Sequence, residues 1–297
     1  MKRILWKIYL LIPFKKYVYL ILKLFYKPPE KIAQYLQFVG NINIKIDSQH
    51  NFKMRHYGYQ LENEIFWNGL FNGWEKFSIR LWYELCKESK NVFDIGANTG
   101  VYALIAKSLQ PNATVYAFEP VDRVYDKLMY NNELNNYDIK CVKKAISNFD
   151  GSAIIYDKAK PHTYSVTVNK DISDDTSDSI SVAIEAIRLD TFIELNNIPK
   201  VDLIKIDVET HEVEVLEGLG KYLRAFEPTL LVEILNEDVA DGIKKLISGI
   251  DYVFYNIDEN IGIRKVSQLS KSDYYNFLIC KPEVASELEV LKQFTNV

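Results

Sequence analysis

From residue 91 onward, short apolar runs alternate with segments whose apolar positions recur every three or four residues. Residues 92–95, 114–118 and 140–146 follow the first pattern and read as strands. Residues 101–109 and 123–134 follow the second and read as helices, the later one with Asp122 as its N-cap. Asn148-Phe149-Asp150-Gly151 is a turn, after which strand-like runs at 153–156 and 180–186 follow with no helix between 152 and 193. The alternation resumes with a strand at 203–208, a helix at 212–219 stopped by Gly220, and a strand at 229–234. Repeated β/α units of this length predict a parallel sheet with helices on both faces. Upstream, residues 31–90 carry strand-like runs at 42–46 and 52–57. A helix over 75–88 places Phe77, Leu81 and Leu85 on one face.

The first thirty residues break this pattern. Lys2, Arg3, Lys7, Lys15, Lys16, Lys23 and Lys27 punctuate an apolar, aromatic run, and Glu30 is the first acid. The longest uncharged stretch, 8–14, is far shorter than the ~18–20 residues that cross a bilayer. Lys7 within the apolar region and the lack of a small-residue cleavage site argue against a secretory signal. Two readings stand: amphipathic helices broken at Pro13 that cap the catalytic domain, or helices lying on an anionic membrane with Trp6, Tyr9 and Leu11 inserted through residues 1–27. Pro28-Pro29 marks a hinge, giving three units: 1–30, an extension over 31–90, and a main domain over 91–297.

A net charge of −4 over 297 residues supports no nucleic-acid footprint. Cys86, Cys141 and Cys280 are odd in number and contain no C-x-x-C pair, which suits core thiols in a reducing, cytoplasmic compartment.

The chemistry concentrates in Val92-Phe93-Asp94-Ile95-Gly96-Ala97-Asn98-Thr99-Gly100. A strand runs into an acid, then into glycines that permit a sharp turn, then into a helix whose first N–H groups are free for a carboxylate or phosphate. Glu119 ends the next strand, where it can accept two hydrogen bonds from ribose hydroxyls. A dinucleotide fingerprint would read G-x-G-x-x-G, whereas Asn98 stands in a D-x-G-x-x-x-G order that suits an adenosyl cofactor with an amino-acid tail. At these residues the sequence resembles the class I S-adenosylmethionine (SAM)-dependent methyltransferases. A second block, Asp202-Leu203-Ile204-Lys205-Ile206-Asp207-Val208-Glu209-Thr210-His211-Glu212 followed by Leu216-Glu217-Gly218, resembles the FkbM family within that class. The similarity runs from about Glu75 to Pro282. It implies a Rossmann-like, mostly parallel α/β sheet closed by antiparallel strands at 252–257 and 276–280. The family pattern has glycine where this chain has Thr210, a β-branched residue at odds with any turn needing positive φ.

The resemblance implies a SAM-dependent O-methyltransferase acting on a hydroxyl of a sugar, glycan precursor or secondary metabolite. Asp94, Gly96, Ala97, Asn98 and Gly100 fall to the methionine end of the cofactor, Glu119 to the ribose, and Ala145, Ile146 and Ser147 to the adenine. For catalysis, alternation along a strand puts Lys205, Asp207 and Glu209 on one face. Asp207 and Glu209 are candidates to orient the acceptor hydroxyl, and His211 is the candidate general base. A divalent cation on Asp207, Glu209 and Glu233 is an alternative, since hard carboxylates suit Mg²⁺ or Ca²⁺. Residues 161–164 and the acidic run 171–178 read as a solvated loop or as a lid over the acceptor. Two rival functions remain on sequence grounds: a SAM-binding scaffold without catalysis, and an NAD-dependent oxidoreductase.

Overall fold

A computed structural model describes residues 14–73, 75–158, 166–167 and 179–293. The expected membrane-inserting residues Trp6, Tyr9 and Leu11, the break at Pro13, and the 161–164 and 171–178 segments lie outside the described residues.

Alternating apolar positions build an eight-stranded sheet among the described residues. Its parallel centre is β3 (Asn91–Ile95), β4 (Thr114–Phe118), β5 (Lys140–Val142), β10 (Leu203–Ile206) and β11 (Thr229–Glu233). β14 (Asn276–Cys280) inserts antiparallel between β11 and β12 (Val253–Asp258), and β13 (Gly262–Val266) closes that edge. The order β13-β12-β14-β11-β10-β3-β4-β5 reverses between β3 and β10, so a crevice opens beyond their carboxyl ends. On one face Val92, Val115, Leu203 and Leu231 pack with Leu81 of α4 (Lys76–Glu88) and Leu104 of α5 (Val101–Leu109). On the other, Phe93, Ile204 and Leu230 pack with Leu216 of α8 (Glu212–Leu219) and Phe192 of α7 (Leu189–Leu195). The same alternation places Asp94 and Lys205 on the α4/α5 face, directly opposite each other in the β3–β10 register.

Several boundaries differ from the sequence reading. The strand expected over 140–146 is two: β5 stays in the main sheet, and β6 (Ala145–Ile146) joins a second sheet of order β6-β9-β7-β8 with β7 (Gly151–Lys158), β8 (Val166–Thr167) and β9 (Ser179–Ile187). The strand expected over 203–208 ends at Ile206, because Glu209 (φ 54°) and Thr210 (φ 76°) turn the chain through left-handed backbone. The alternation that would align Glu209 with Lys205 therefore breaks. Asp122 is the first residue of α6 (Asp122–Leu134), with Val121 at the N-cap and no side-chain cap. α7 was not expected; Leu189, Phe192 and Ile193 recur at helical spacing and are buried, which outweighs the β-branched run before them.

The upstream segment forms a hairpin of β1 (Gly40–Lys45) and β2 (Asn51–His56), then α3 (Gln60–Asn68). The hairpin lies on α6: Asn131 and Asn135 side chains accept from the Arg55 and Lys53 backbone N–H groups at 2.9 and 2.7 Å. α1 (Lys15–Phe25) packs onto this unit through Tyr19, whose ring lies 6.1 Å from Phe38 and 5.6 Å from Trp67. The helices expected over residues 1–30 were to cap the main domain; the described part, α1, rests instead on the 31–90 extension, through Gln37, Phe38, Phe66 and Trp67.

Candidate active site

The two motifs meet at the reversal of strand order. Asp207 donates its backbone N–H to the Ile95 carbonyl at 3.1 Å, and a Cβ on Gly96 would sit 1.9 Å from the Asp207 carbonyl oxygen. Glycine at 96 is thus demanded by contact between the motifs as well as by its φ of 77°. Gly218 plays the same part for α8, where a Cβ would fall 2.1 Å from the Ser147 carbonyl oxygen.

Around this junction lies a cleft of about 460 Å³. Gly96, Ala97, Asn98, Glu119, Ala145, Ile146, Lys205, Asp207, Glu209, His211 and Glu233, all singled out from sequence, line it. Asp94, Gly100 and Ser147 do not. Asp94 is buried beneath the loop; its Oδ2 accepts from Ala103 N–H at 3.0 Å, fastening α5 to β3, and burial pushes its pKa up to about 6. Gly100 is the N-cap of α5. Ser147 Oγ lies 3.0 Å from His211 Nε2.

Glu119 is buried at the tip of β4, one oxygen accepting from Asn98 N–H at 3.1 Å and the other from Val121 N–H at 3.0 Å. Burial pushes its pKa up to about 7 against the pull of those two donors. Each carboxylate oxygen keeps acceptor capacity beyond these bonds. Next to it the wall is apolar, formed by Phe118, Val121, Ala145, Ile146 and Ile155.

The opposite end is acidic. Lys205 Nζ, nearly buried, donates to Asp207 Oδ2 at 2.8 Å and lies 4.6 Å above the Tyr102 ring. Burial alone would lower its pKa, but the carboxylates of Asp207, Asp94 and Glu75 hold it above the ordinary lysine value. Burial, with the neighbouring Asp207 and Glu209 carboxylates, pushes Glu233 up to about 9. His211 is lowered by burial and so favours the neutral imidazole; its Nδ1 lies 3.5 Å from Glu214 Oε2. Among the described residues, no three His, Cys, Asp or Glu side chains form a group that could hold a metal ion. Asp207, Glu209 and Glu233 therefore do not compose the cation cage considered above. An ammonium, that of Lys205, already sits on Asp207.

Four cleft residues, Glu75, Tyr59, Gln60 and Leu61, escaped the sequence reading, and Glu212 stood in its second motif without a role. Glu75 reaches the cleft from the N-cap position of α4, yet caps nothing. Glu259 caps that helix instead, accepting from Phe77 and Ser78 N–H at 2.7 and 3.0 Å, which leaves Glu75 to accept from Tyr102 O–H at 2.9 Å. Burial pushes Glu75 up to about 7. No local signal marks it, because an acid at a helix start reads as a dipole partner. Tyr59, Gln60 and Leu61, at the start of α3, close another wall. Glu212, fully buried, accepts from Val208 and Thr210 N–H at 3.2 Å each and ties the turn together.

Thr210 occupies the φ that its β-branch disfavours. Thr210→Gly is expected to raise the unfolding free energy by about 1 kcal/mol, the released strain exceeding the added unfolded-state entropy. A urea melt checks this; a fall in stability would mean that the threonine side-chain contacts outweigh the backbone cost.

Stability should also depend on pH in a defined direction. Asp94, Glu75, Glu119, Glu212 and Glu233 have folded values of about 6, 7, 7, 8 and 9, all raised first by burial. Below about pH 4 both states hold these protons; above it the unfolded chain releases them first, so their contribution is lost as pH climbs through the folded values. The melting temperature should fall between about pH 5 and 9, and fall less in Glu233→Gln. A midpoint that climbs steadily to pH 9 would contradict this.

The sequence is similar to those of known methyltransferases. Hexuronic acid methyltransferase AglP of Haloferax volcanii is 28% identical over 174 residues, covering 59% of this chain and 68% of that protein. Methyltransferase 1 of Beauveria bassiana is 29% identical over 143 residues, 43% of this chain and 57% of its own length. Among solved structures, the methyltransferase FkbM from Methylobacillus flagellatus KT overlaps with 15% identity and a TM-score of 0.41, over 64% of this chain and 43% of that one. A SAM-dependent methyltransferase from Agrobacterium tumefaciens overlaps with 12% identity and a TM-score of 0.45, over 82% and 70%. The chain thus spans about half the length of some of the proteins it matches. Residues 94–254, more than half of the chain, match the methyltransferase FkbM domain from the buried aspartate of the first motif through the whole of the second, and the chain belongs to that family of methyltransferases.

Proposed function

We propose that the protein transfers the methyl group of SAM to a hydroxyl oxygen of a sugar, glycan precursor or secondary metabolite. The observation that carries this reading is the polarity of a single cleft. Glu119 and an apolar slot stand at one end, with Lys144 beside the slot and paired to Glu185, and Glu75, Asp207, Glu209 and Glu233 stand at the other, around Lys205. SAM fits that division: its ribose suits Glu119, its adenine suits Ala145 and Ile146, and its cationic tail suits the acids beside Gly96, Ala97 and Asn98. The pyrophosphate of NAD would instead meet the Asp207 and Glu209 carboxylates, which weighs against an oxidoreductase.

Bound SAM supplies a methyl group already activated by its sulfonium, so the protein's task is to aim an acceptor oxygen and take its proton. Lys205 fixes Asp207 at the cleft edge, and Asp207 with Glu209 is suited to orient the acceptor hydroxyl. His211, kept neutral by burial and steadied by Ser147, is the group suited to receive the proton, an effect typically worth ~10²–10⁴-fold. Glu233, with its raised pKa, is suited to donate a hydrogen bond to the acceptor at neutral pH. Asp94 and Gly100 do not line the cleft and would support the methionine end indirectly, Asp94 by fastening Ala103 of α5 and Gly100 as the N-cap of that helix.

The hexuronic acid named for the Haloferax relative makes uronic-acid glycans the first acceptors to try. Protein, SAM labelled in its methyl group and glycans with or without hexuronic acid are incubated, and the product is treated with mild alkali. Label that survives alkali is an ether on a hydroxyl, as proposed. Label released by alkali is a methyl ester and would overturn the O-acceptor assignment. No transfer to any hydroxylated acceptor, with SAM bound, would return the scaffold reading.

A further inference from the structure

Among the described residues, only one face of α1 is used in packing. Lys15 donates to the Gln37 carbonyl at 2.9 Å, Lys23 donates to the Phe66 carbonyl, and Tyr19 is buried against Phe38 and Trp67. These contacts fix the rotation of the helix about its axis. At about 100° per residue, Phe14, Tyr17, Val18, Ile21, Leu24 and Phe25 fall together within an arc of about 120° on the far side. All six are exposed, Leu24 at 76% and Phe25 at 85%. A lone exposed apolar residue needs no explanation, but a whole helical stripe of large ones does.

We propose that this face of α1 docks on an anionic lipid bilayer. The charge pattern selects that occupant. Seven basic residues and no acid precede Glu30, two of them, Lys15 and Lys23, on the packed face, although the chain as a whole carries −4. Exposed Lys27 and Lys31 follow directly on the apolar stripe, and the preceding residues 1–13 repeat the same apolar and basic composition. An apolar stripe flanked by lysines suits acyl chains below and anionic headgroups at the rim. A second copy of the chain would bring like charges face to face. The contact proposed is interfacial; no helix among the described residues is long and apolar enough to cross a membrane. α3 carries α1 through Trp67 and Phe66 and lines the cleft with Gln60 and Leu61, which ties the docked face to a cleft wall.

The test is sedimentation of the full-length protein with phosphatidylcholine vesicles, with and without about one third phosphatidylglycerol, and it needs no knowledge of the acceptor. The account expects binding to the anionic vesicles, at least tenfold weaker binding to pure phosphatidylcholine, and a comparable loss at high salt. Leu24→Glu combined with Phe25→Glu, both exposed and far from the core, should weaken vesicle binding at least tenfold while circular dichroism and the melting temperature stay unchanged. Three results would overturn the proposal: no binding to anionic vesicles, undiminished binding by the double variant, or concentration-dependent dimers abolished by the same substitutions without vesicle binding.

Discussion

Replacing Lys205 with methionine should lower the unfolding free energy by about 3–5 kcal/mol, the cost of stranding buried charges by removing one partner. Lys205 stands opposite Asp94 in the sheet and donates to Asp207 at 2.8 Å. Its field also holds back the rise of the Glu75 and Glu233 carboxyls. Methionine fills the space above Tyr102 but supplies no charge, so these acids must keep protons or lose the fold. Combining Lys205→Met with Asp207→Asn removes both members of the closest pair and should recover part of the loss. Urea melts of the parent and the two variants check the prediction. A single variant within about 1 kcal/mol of the parent would mean that solvent, and not the ammonium, compensates the acids.

Glu119→Ala carries the second large effect. Two charge-assisted hydrogen bonds to the ribose are each worth about 1.5–3 kcal/mol, so affinity for S-adenosylhomocysteine should fall by about 100-fold or more. Stability should drop as well, because Asn98 and Val121 N–H groups lose their acceptor. Glu119→Gln keeps one acceptor oxygen and should fall between the two. If Glu119→Ala binds within threefold of the parent, the ribose is held elsewhere and the polarity assigned to the cleft is reversed.

The features legible in the sequence were those encoded locally. The β/α rhythm gave the parallel centre, and the two motifs marked both lips of the crevice, because strand ends and the glycines beside them are written in consecutive residues. What escaped depends on distant partners. Glu75 enters the cleft only because Glu259, from the far edge of the sheet, takes over the cap of its helix. The run over 140–146 reads as one strand, yet Ala145 and Ile146 pair with β9, some forty residues on. Asp94 reads as a ligand to the cofactor, whereas its visible bond is to Ala103 of the helix behind it. Thr210 is the reverse case: its sequence argues against positive φ, and the hold of Glu212 on the Val208 and Thr210 N–H groups accompanies that turn.

The central claim is that this cleft is built for an adenosyl cofactor with an amino-acid tail. Calorimetric titration of the protein with S-adenosylhomocysteine and, separately, with NAD tests it most directly. The expected result is S-adenosylhomocysteine binding in the micromolar range and no measurable heat with NAD. Preference for NAD, or no binding of S-adenosylhomocysteine by folded protein, would contradict it.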